Sequence, residues 1–460
     1  MAEAIQHGGR DSSRFHKRIV PFIQFVWQWA KTNNILLINA LSLVGSTAVT
    51  ASLGFVYWWL AARQYTPATI GLSSAMISAM TLLGTICMLG MGTLLIGELP
   101  KQKGAEFALI NTALLVVAAV GALAGLLFAV IAPVVSPSFQ PLRANLASIL
   151  IFTAGVSLTS VTLVFDQALI GLLRGGRLQL WRNSLFAIIK LLALFLIGLG
   201  ITQITGMSIY ITWTAGNLFS MLLLTLSLLP HLHRTGQHFW PRWSLLKNLR
   251  TGAAEHHILN LTLQVPPLAL PVLVTALLST TANAWFYVSW MLAGLSSLLP
   301  SVLATVLFAT NARQPEMLAQ KARMTLGISF ITCLAMSIFL WLGSGPILAF
   351  FGHNYAVEAS WSLRILALGS LPRIIKDHYV AICRIGNNVR SAVGPMIIGS
   401  VMELLFAALG AHLAGLLGLS LGWLFALCVE ALFGITTVYK TVFPRTYTHI
   451  KSASVNTTIE

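Results

Sequence analysis

Asp166 and Lys190 each interrupt a long apolar run that otherwise holds no charge nearby. Asp166 lies about two turns from one end of its run and Lys190 near the middle of the next, so their depths match and one can neutralise the other. Two readings stand for the pair, a structural ion pair or a role in an aqueous cavity. A denser cluster follows at Pro372-Arg373-Ile-Ile-Lys376-Asp377-His378. Arg373 and Asp377 are i,i+4 neighbours that pair along one helix face, leaving Lys376 without a partner in its own helix. Arg373 and Lys376 beside a helix break suit an anionic head group; the alternative is a snorkelling cluster at a membrane interface. Glu403 and Glu430 sit mid-run and either accept a coupling proton or meet Lys376 across a helix interface.

A third group combines ionisable residues with helix breakers. Glu255-His256-His257 opens a run that continues through Asn260, Gln264, Pro266, Pro267 and Pro271. Each proline removes a backbone donor, so this segment is expected to break or bend, as helices lining transport pathways do. His256 and His257 are candidates for pH sensing and the prolines for a gate; ordinary solvated histidines are the plain alternative.

The elements that must position these groups follow from composition. Of 460 residues 57% are hydrophobic and 9% charged, against roughly 25% charged in soluble chains. So few charges cannot cover a water-exposed fold, whereas lipid demands none. Uncharged stretches place helical spans near 35–62, 69–97, 105–132, 144–173, 181–200 and 207–230. Six more fall near 254–278, 283–310, 324–350, 358–384, 392–414 and 418–439. Every second connection is basic, among them Lys101 and Lys103, Arg174 to Arg182, Arg234 to Arg250, Arg384 and Arg390, and Lys440 onward. The intervening connections carry little beyond Arg63 and Arg143. The alternation predicts an even number of spans with both termini cytoplasmic in a bacterial inner membrane. The fold class is thus an all-α polytopic membrane protein of about twelve spans. Its expected divisions are a basic, amphipathic N-terminal segment (1–33), a six-helix lobe (34–230), a cytoplasmic inter-lobe loop (231–253), a second six-helix lobe (254–440) and a cytoplasmic tail (441–460).

Several classes of function are disfavoured. The formal charge of +16 is spread over alternate connections and not gathered on a stripe, which argues for topology and against nucleic-acid binding. No outer connection is long enough for a catalytic domain, and no phosphate-binding glycine loop is present, so no enzyme activity is expected. Cys87, Cys333, Cys383 and Cys428 show no metal or redox spacing and read as buried thiols. No metal and no cofactor is expected.

With these groups placed, the chain resembles a known family. Glu255-His-His-Ile-Leu-Asn-Leu-Thr-Leu-Gln-Val-Pro-Pro, Ala284-Trp-Phe-Tyr-Val-Ser-Trp-Met and Leu299-Pro-Ser-Val-Leu-Ala-Thr carry the likeness in the second half. Gly54-Phe-Val-Tyr-Trp-Trp-Leu and Asp166-Gln-Ala-Leu-Ile-Gly carry it in the first. They are similar to polysaccharide, or lipid-linked oligosaccharide, flippases of the multidrug/oligosaccharidyl-lipid/polysaccharide exporter superfamily. The resemblance implies two six-helix lobes around a central cavity that opens alternately to either side. It also implies a polyprenyl-pyrophosphate-linked saccharide as cargo, moved to the outer leaflet for surface polysaccharide synthesis. Membrane lipids, a glycan polymerase or glycosyltransferases would then be the partners. Lys190, Arg373 and Lys376 would be candidates for the pyrophosphate; Asp166, Asp377, Glu403 and Glu430 would serve coupling or ion pairing. The alternative within the superfamily is efflux of amphipathic cations, for which Asp166, Glu403 and Glu430 with Trp285 and Trp290 would be the attraction.

Overall fold

The computed structural model describes residues 34–443, apart from 102–103, 105, 173–174, 201–203, 234–239, 242, 244–250 and 312–316. The amphipathic segment expected within 1–33, most of the inter-lobe loop and the tail from 444 onward lie outside the described residues. Among the described residues all regular structure is helical. The first half comprises α1 (Asn34–Gln64), α2 (Pro67–Ile86), α3 (Met91–Glu98), α4 (Glu106–Val135), α5 (Leu146–Gly171), α6 (Gly175–Gly200) and α7 (Gly206–His233). The second comprises α8 (Thr251–Leu277), α9 (Thr280–Asn311), α10 (Leu318–Ala349), α11 (His353–Leu368), α12 (Ser370–Ile385) and α13 (Val389–Val442).

Nine of the described helices are each long and apolar enough to cross a bilayer. The 54-residue α13 supplies two crossings, because Ala414 and Gly415 leave helical geometry and fold it into a hairpin. Close glycine contacts hold its arms together: a Cβ at Gly410 would stand 2.0 Å from the Gly418 carbonyl oxygen. The 31-residue α1 and the successive halves α11 and α12, of 16 residues each, complete the dozen expected from the uncharged stretches.

Burial is inverted relative to a water-soluble protein. On α4, Val117, Gly121, Gly125 and Ala129 are buried, while Leu123, Leu127, Ile131 and Val135 are exposed. A Cβ at Gly121 would lie 2.6 Å from Ser160 Oγ, so the small residues admit α5 at close range. Small residues inside and large aliphatic ones outside are what lipid solvation selects.

Three spans differ from their expected form. The span expected at 69–97 is interrupted after Ile86, where Leu89 (φ 49°) and Gly90 (φ 76°) turn the chain into α3. The span expected at 358–384 divides at Gly369, where an added Cβ would stand 2.3 Å from the Trp423 ring. Pro372 follows in the first turn of α12, where a missing N–H has no helical carbonyl to serve. Helix α8, expected to break or bend, is one continuous helix through Pro266, Pro267 and Pro271. Ser400 on α13 donates its hydroxyl to the Thr262 carbonyl, the acceptor that Pro266 leaves without a donor.

Helices α1–α7 pack among themselves and α8–α13 do likewise, giving two lobes that meet where α2 lies against α8 and α9. Similar capped turns open α2 and α9. Thr66 Oγ1 accepts from Thr69 N at 3.3 Å, and Ser279 Oγ accepts from Ala282 N at 3.0 Å. The two helices meet at these ends. Asn283 Nδ2 donates to the Gly71 carbonyl at 2.7 Å, and a Cβ on Gly71 would lie 1.6 Å from the Thr280 oxygen. Trp59 and Arg63 of α1 donate to the Phe350 carbonyl at 3.0 and 2.8 Å across the same charge-poor end.

Candidate functional site

Two buried charge clusters occupy the lobes, one in each. In the second lobe, Lys376 of α12 reaches both arms of the α13 hairpin. Its Nζ lies 2.6 Å from Glu403 Oε1 and 2.8 Å from Glu430 Oε2. Trp423 Nε1 donates to the other oxygen of Glu403 at 2.7 Å. Gly399 makes room for the arrangement, because a Cβ there would stand 1.7 Å from Glu430 Oε1. One ammonium thus faces two carboxylates, all three side chains being nearly sealed from solvent.

Lys376, Glu403 and Trp423 form one wall of a cavity of about 300 Å³ lined by α8, α9, α12 and α13, with Glu430 behind them. Arg373, Asp377 and Arg384 line it from α12, one turn to three turns apart on one face. Asn260, Gln264 and Pro267 line it from α8, and Trp290 and Trp423 form its aromatic end. Arg384 donates to Asn260 Oδ1 at 2.7 Å, while its Nε is buried without a partner. Arg373 Nε lies 4.0 Å from Asp377 Oδ2, the i,i+4 pair expected, and Ser301 donates to the same oxygen at 2.9 Å. Three cationic groups therefore meet three carboxylates at and behind this cavity.

In the first lobe the expected pairing of Asp166 with Lys190 does not occur. Arg182 takes Asp166 in a two-pronged bond, Nε to Oδ1 at 2.8 Å and Nη2 to Oδ2 at 2.5 Å. The reason is a boundary. Helix α6 begins at Gly175, not near 181, so Arg182 lies two turns inside the span at the depth of Asp166. Its planar fork matches a carboxylate better than a lysine does. Lys190 instead points among aromatic rings. Its Nζ is 3.5 Å from the Trp213 ring centroid, 4.6 Å from Phe186 and 5.2 Å from Tyr57.

The remaining sequence candidates are separated from these clusters. Glu255, His256 and His257 are half-buried at the start of α8 and line no part of the cavity. His257 stands close to the Ile86 backbone of the other lobe, where α2 ends. Pro267 is in the cavity wall, whereas Pro266 and Pro271 are not. His378 is buried against the Ile374 carbonyl and Thr325. Cys87, Cys333 and Cys383 are buried free thiols, but Cys428 is exposed, on the lipid-facing side of its apolar helix. Sequence reasoning missed Arg384, Trp423, Gly399 and the rings around Lys190. Of these, Arg384 carried a signal: it falls eleven residues after Arg373, three helical turns on the same face.

No protein-family model matches the chain, and no curated protein aligns with it significantly in sequence. Its structure does match solved ones. An inward-facing multidrug-resistance transporter of the MATE family, in the MOP superfamily, superposes with a TM-score of 0.63 at 14% identity, covering 88% of this chain and 98% of that one. An outward-facing conformation of a MATE-family multidrug-resistance transporter superposes at 0.60, again at 14% identity, over 89% and 95%. A MOP-superfamily transporter from Pyrococcus furiosus, described as having a binding pocket of reverse polarity that suggests a different function, superposes at 0.56 with 13% identity over 88% and 96%. The chain has the two-lobed, twelve-span fold of these transporters.

Proposed function

We propose that the protein is a membrane transporter that works by alternating access between its two lobes and exports amphipathic organic cations. The observation that carries the choice of cargo is the charge balance of the second-lobe cavity. Asp377 and Glu403 in the lining, with Glu430 holding Lys376 from behind it, balance Arg373, Lys376 and Arg384 in total, so little positive surplus is left for a pyrophosphate. The walls also carry aromatic and apolar side chains, with Trp290, Trp423, Phe308 and Leu427 prominent beside Asn260, Gln264, Ser301 and Thr305. Such walls favour a molecule with a large hydrocarbon face and one weakly hydrated charge. The fold shared with multidrug-resistance transporters supports the same reading. On this reading the basic ends of the spans face the cytoplasm. Glu403 and Glu430 are the groups that take up a coupling proton or release it as Lys376 shifts between them.

The test is efflux. Expression in a bacterial strain stripped of its own drug pumps should raise tolerance to ethidium and lower its intracellular accumulation. Lys376→Met should abolish both while leaving protein in the membrane. Equal accumulation with and without the protein would sink the reading. A second reading, the lipid-linked saccharide flippase, is favoured by one feature: Arg373 and Arg384 face the cavity, and Arg384 keeps a buried nitrogen unpartnered. Loss of surface polysaccharide on deletion, with unchanged ethidium tolerance, would select it.

A further inference from the structure

The Lys190 ammonium is buried in the first lobe, and among the described residues no carboxylate lies within ion-pair distance of it. A charge at membrane depth without a counter-ion is costly, and a leucine or methionine there would pack at lower cost. What surrounds it is a receptor for a cation. Tyr57 from α1, Phe186 from α6 and Trp213 from α7 present their rings to Nζ, the last at 3.5 Å. Such rings attract alkylammonium groups through their electron-rich faces.

The cage is preorganised independently of its occupant. The Tyr57 hydroxyl is anchored to the Ile209 carbonyl at 3.2 Å and to Thr212 Oγ1 at 2.7 Å. Gly216 lets α7 close on α6: a Cβ there would lie 3.0 Å from Lys190 Cβ and 3.1 Å from Phe186 Cδ2. The cage also adjoins the seam between lobes. Trp213 is only half-buried, its ring is 6.2 Å from that of Trp58, and Trp58 lies 4.7 Å from Tyr287 of α9 in the other lobe. Relative movement of the lobes therefore bears on one wall of the cage.

We propose that Tyr57, Phe186 and Trp213 form a binding site for the ammonium group of an organic cation, occupied in this state by Lys190 as a tethered competitor. The inference rests on the cation-export reading for the identity of the cargo, though not for the existence of the site. Binding of cargo displaces the lysine toward the seam, and release lets it return. Each ammonium excludes the other by charge and by volume.

The test uses full-length protein in lipid nanodiscs titrated with tetramethylammonium chloride and read by tryptophan fluorescence. Lys190→Ala, which removes the competitor, should bind saturably at least tenfold more tightly than the wild type. Lys190→Ala with Trp213→Leu should lose that gain. Lys190→Met, which removes the charge but fills the space, should stay within threefold of the wild type. If Lys190→Ala does not fold, tetramethylammonium during purification should restore its monodisperse form. Tert-butanol, neutral and of similar shape, should not. A folded Lys190→Ala protein that binds no better than the wild type, or rescue equally by tert-butanol or by neither compound, overturns the proposal. Ethidium efflux by the wild type separates the two readings. Efflux without a gain in binding removes the cage alone, and a gain in binding without efflux removes the cargo.

Discussion

Removing Lys376 strips the second lobe of the one charge that holds Glu403 and Glu430 together. Its ammonium is 2.6 Å from one carboxylate and 2.8 Å from the other, with side chains at most 7% exposed. Breaking a buried pair by deleting one partner costs about 3–5 kcal/mol, because the orphaned charge stays in a poor solvent. Lys376→Met sits near the top of that range, since it orphans two carboxylates. If the second lobe is the unit that melts, each kcal/mol is worth roughly 2–4 °C, so the apparent Tm falls by roughly 6–20 °C. The assay is heating of detergent-purified protein followed by fluorescence-detected size exclusion. Glu430→Gln should cost much less. It leaves Lys376 paired one-to-one with Glu403, whose second oxygen still accepts from Trp423. The triple variant Lys376→Met, Glu403→Gln, Glu430→Gln should regain at least half of the Tm lost in the single lysine variant, because no orphaned charge remains. A Lys376→Met protein melting within 2 °C of the wild type, by any order-of-magnitude reading of these costs, would refute the reasoning.

Four further outcomes follow from the geometry. Gly399→Ala places a Cβ on Glu430 Oε1 and should lower the Tm, while Gly394→Ala, with open space around it, should not. Ser400→Ala removes the hydroxyl that reaches the Thr262 carbonyl and should destabilise by about 1–3 kcal/mol in the same melting assay. Arg182→Lys keeps the charge but loses the fork on Asp166, and should melt below the wild type yet above Arg182→Met. Gly71→Ala drives a methyl into the Thr280 carbonyl and should prevent the charge-poor ends from closing. The measurement is ethidium efflux alongside spin-label distances between α2 and α9, which should lengthen.

The spans were legible because lipid imposes a coarse rule: charged residues are excluded for about 20 residues at a time. That rule fixes how many helices there are and which ends are basic. It does not see interruptions inside a crossing. Leu89 and Gly90 bend the second span, yet nothing in Cys87-Met-Leu-Gly distinguishes them from the glycines that simply admit a neighbour. At Pro266 the helix runs on, and the carbonyl it leaves bare is met by Ser400, 134 positions away. The site was legible as a roster of ionisable residues but not as a set of partners. Lys376 meeting a carboxylate across the helix interface was among the sequence readings, whereas both carboxylates meeting it required the hairpin at Ala414 and Gly415. Asp166 found Arg182 because one helix begins six residues earlier than the charge pattern indicates.

The distribution of charge between and within the lobes bears on how the molecule can move. Each close pairing of buried charges described here is internal to one lobe: Asp166 with Arg182 in the first, Lys376 with Glu403 and Glu430 in the second. The contacts that cross the seam are of another kind. Among the described residues they include the Asn283 amide on the Gly71 carbonyl and on Ser74, Trp59 on the Phe350 carbonyl, Ser136 on the Ala276 carbonyl, and the rings of Trp58 and Tyr287. Arg63 also crosses, but it donates to a carbonyl at the charge-poor end, where water can replace that partner. A hydrogen bond to a neutral acceptor contributes about 0.5–1.5 kcal/mol net, against about 3–5 kcal/mol for a broken buried ion pair. Separating the lobes along α2 therefore breaks no ion pair among the described residues, though it uncovers the apolar core that α2 shares with α8 and α9. Separating either lobe internally would expose an orphaned charge to lipid. On the alternating-access reading proposed above, each lobe stays whole while the seam opens, so the motion is one lobe rocking against the other. Lys190, the buried ammonium without a carboxylate, stands next to that seam, where rocking alters its surroundings most.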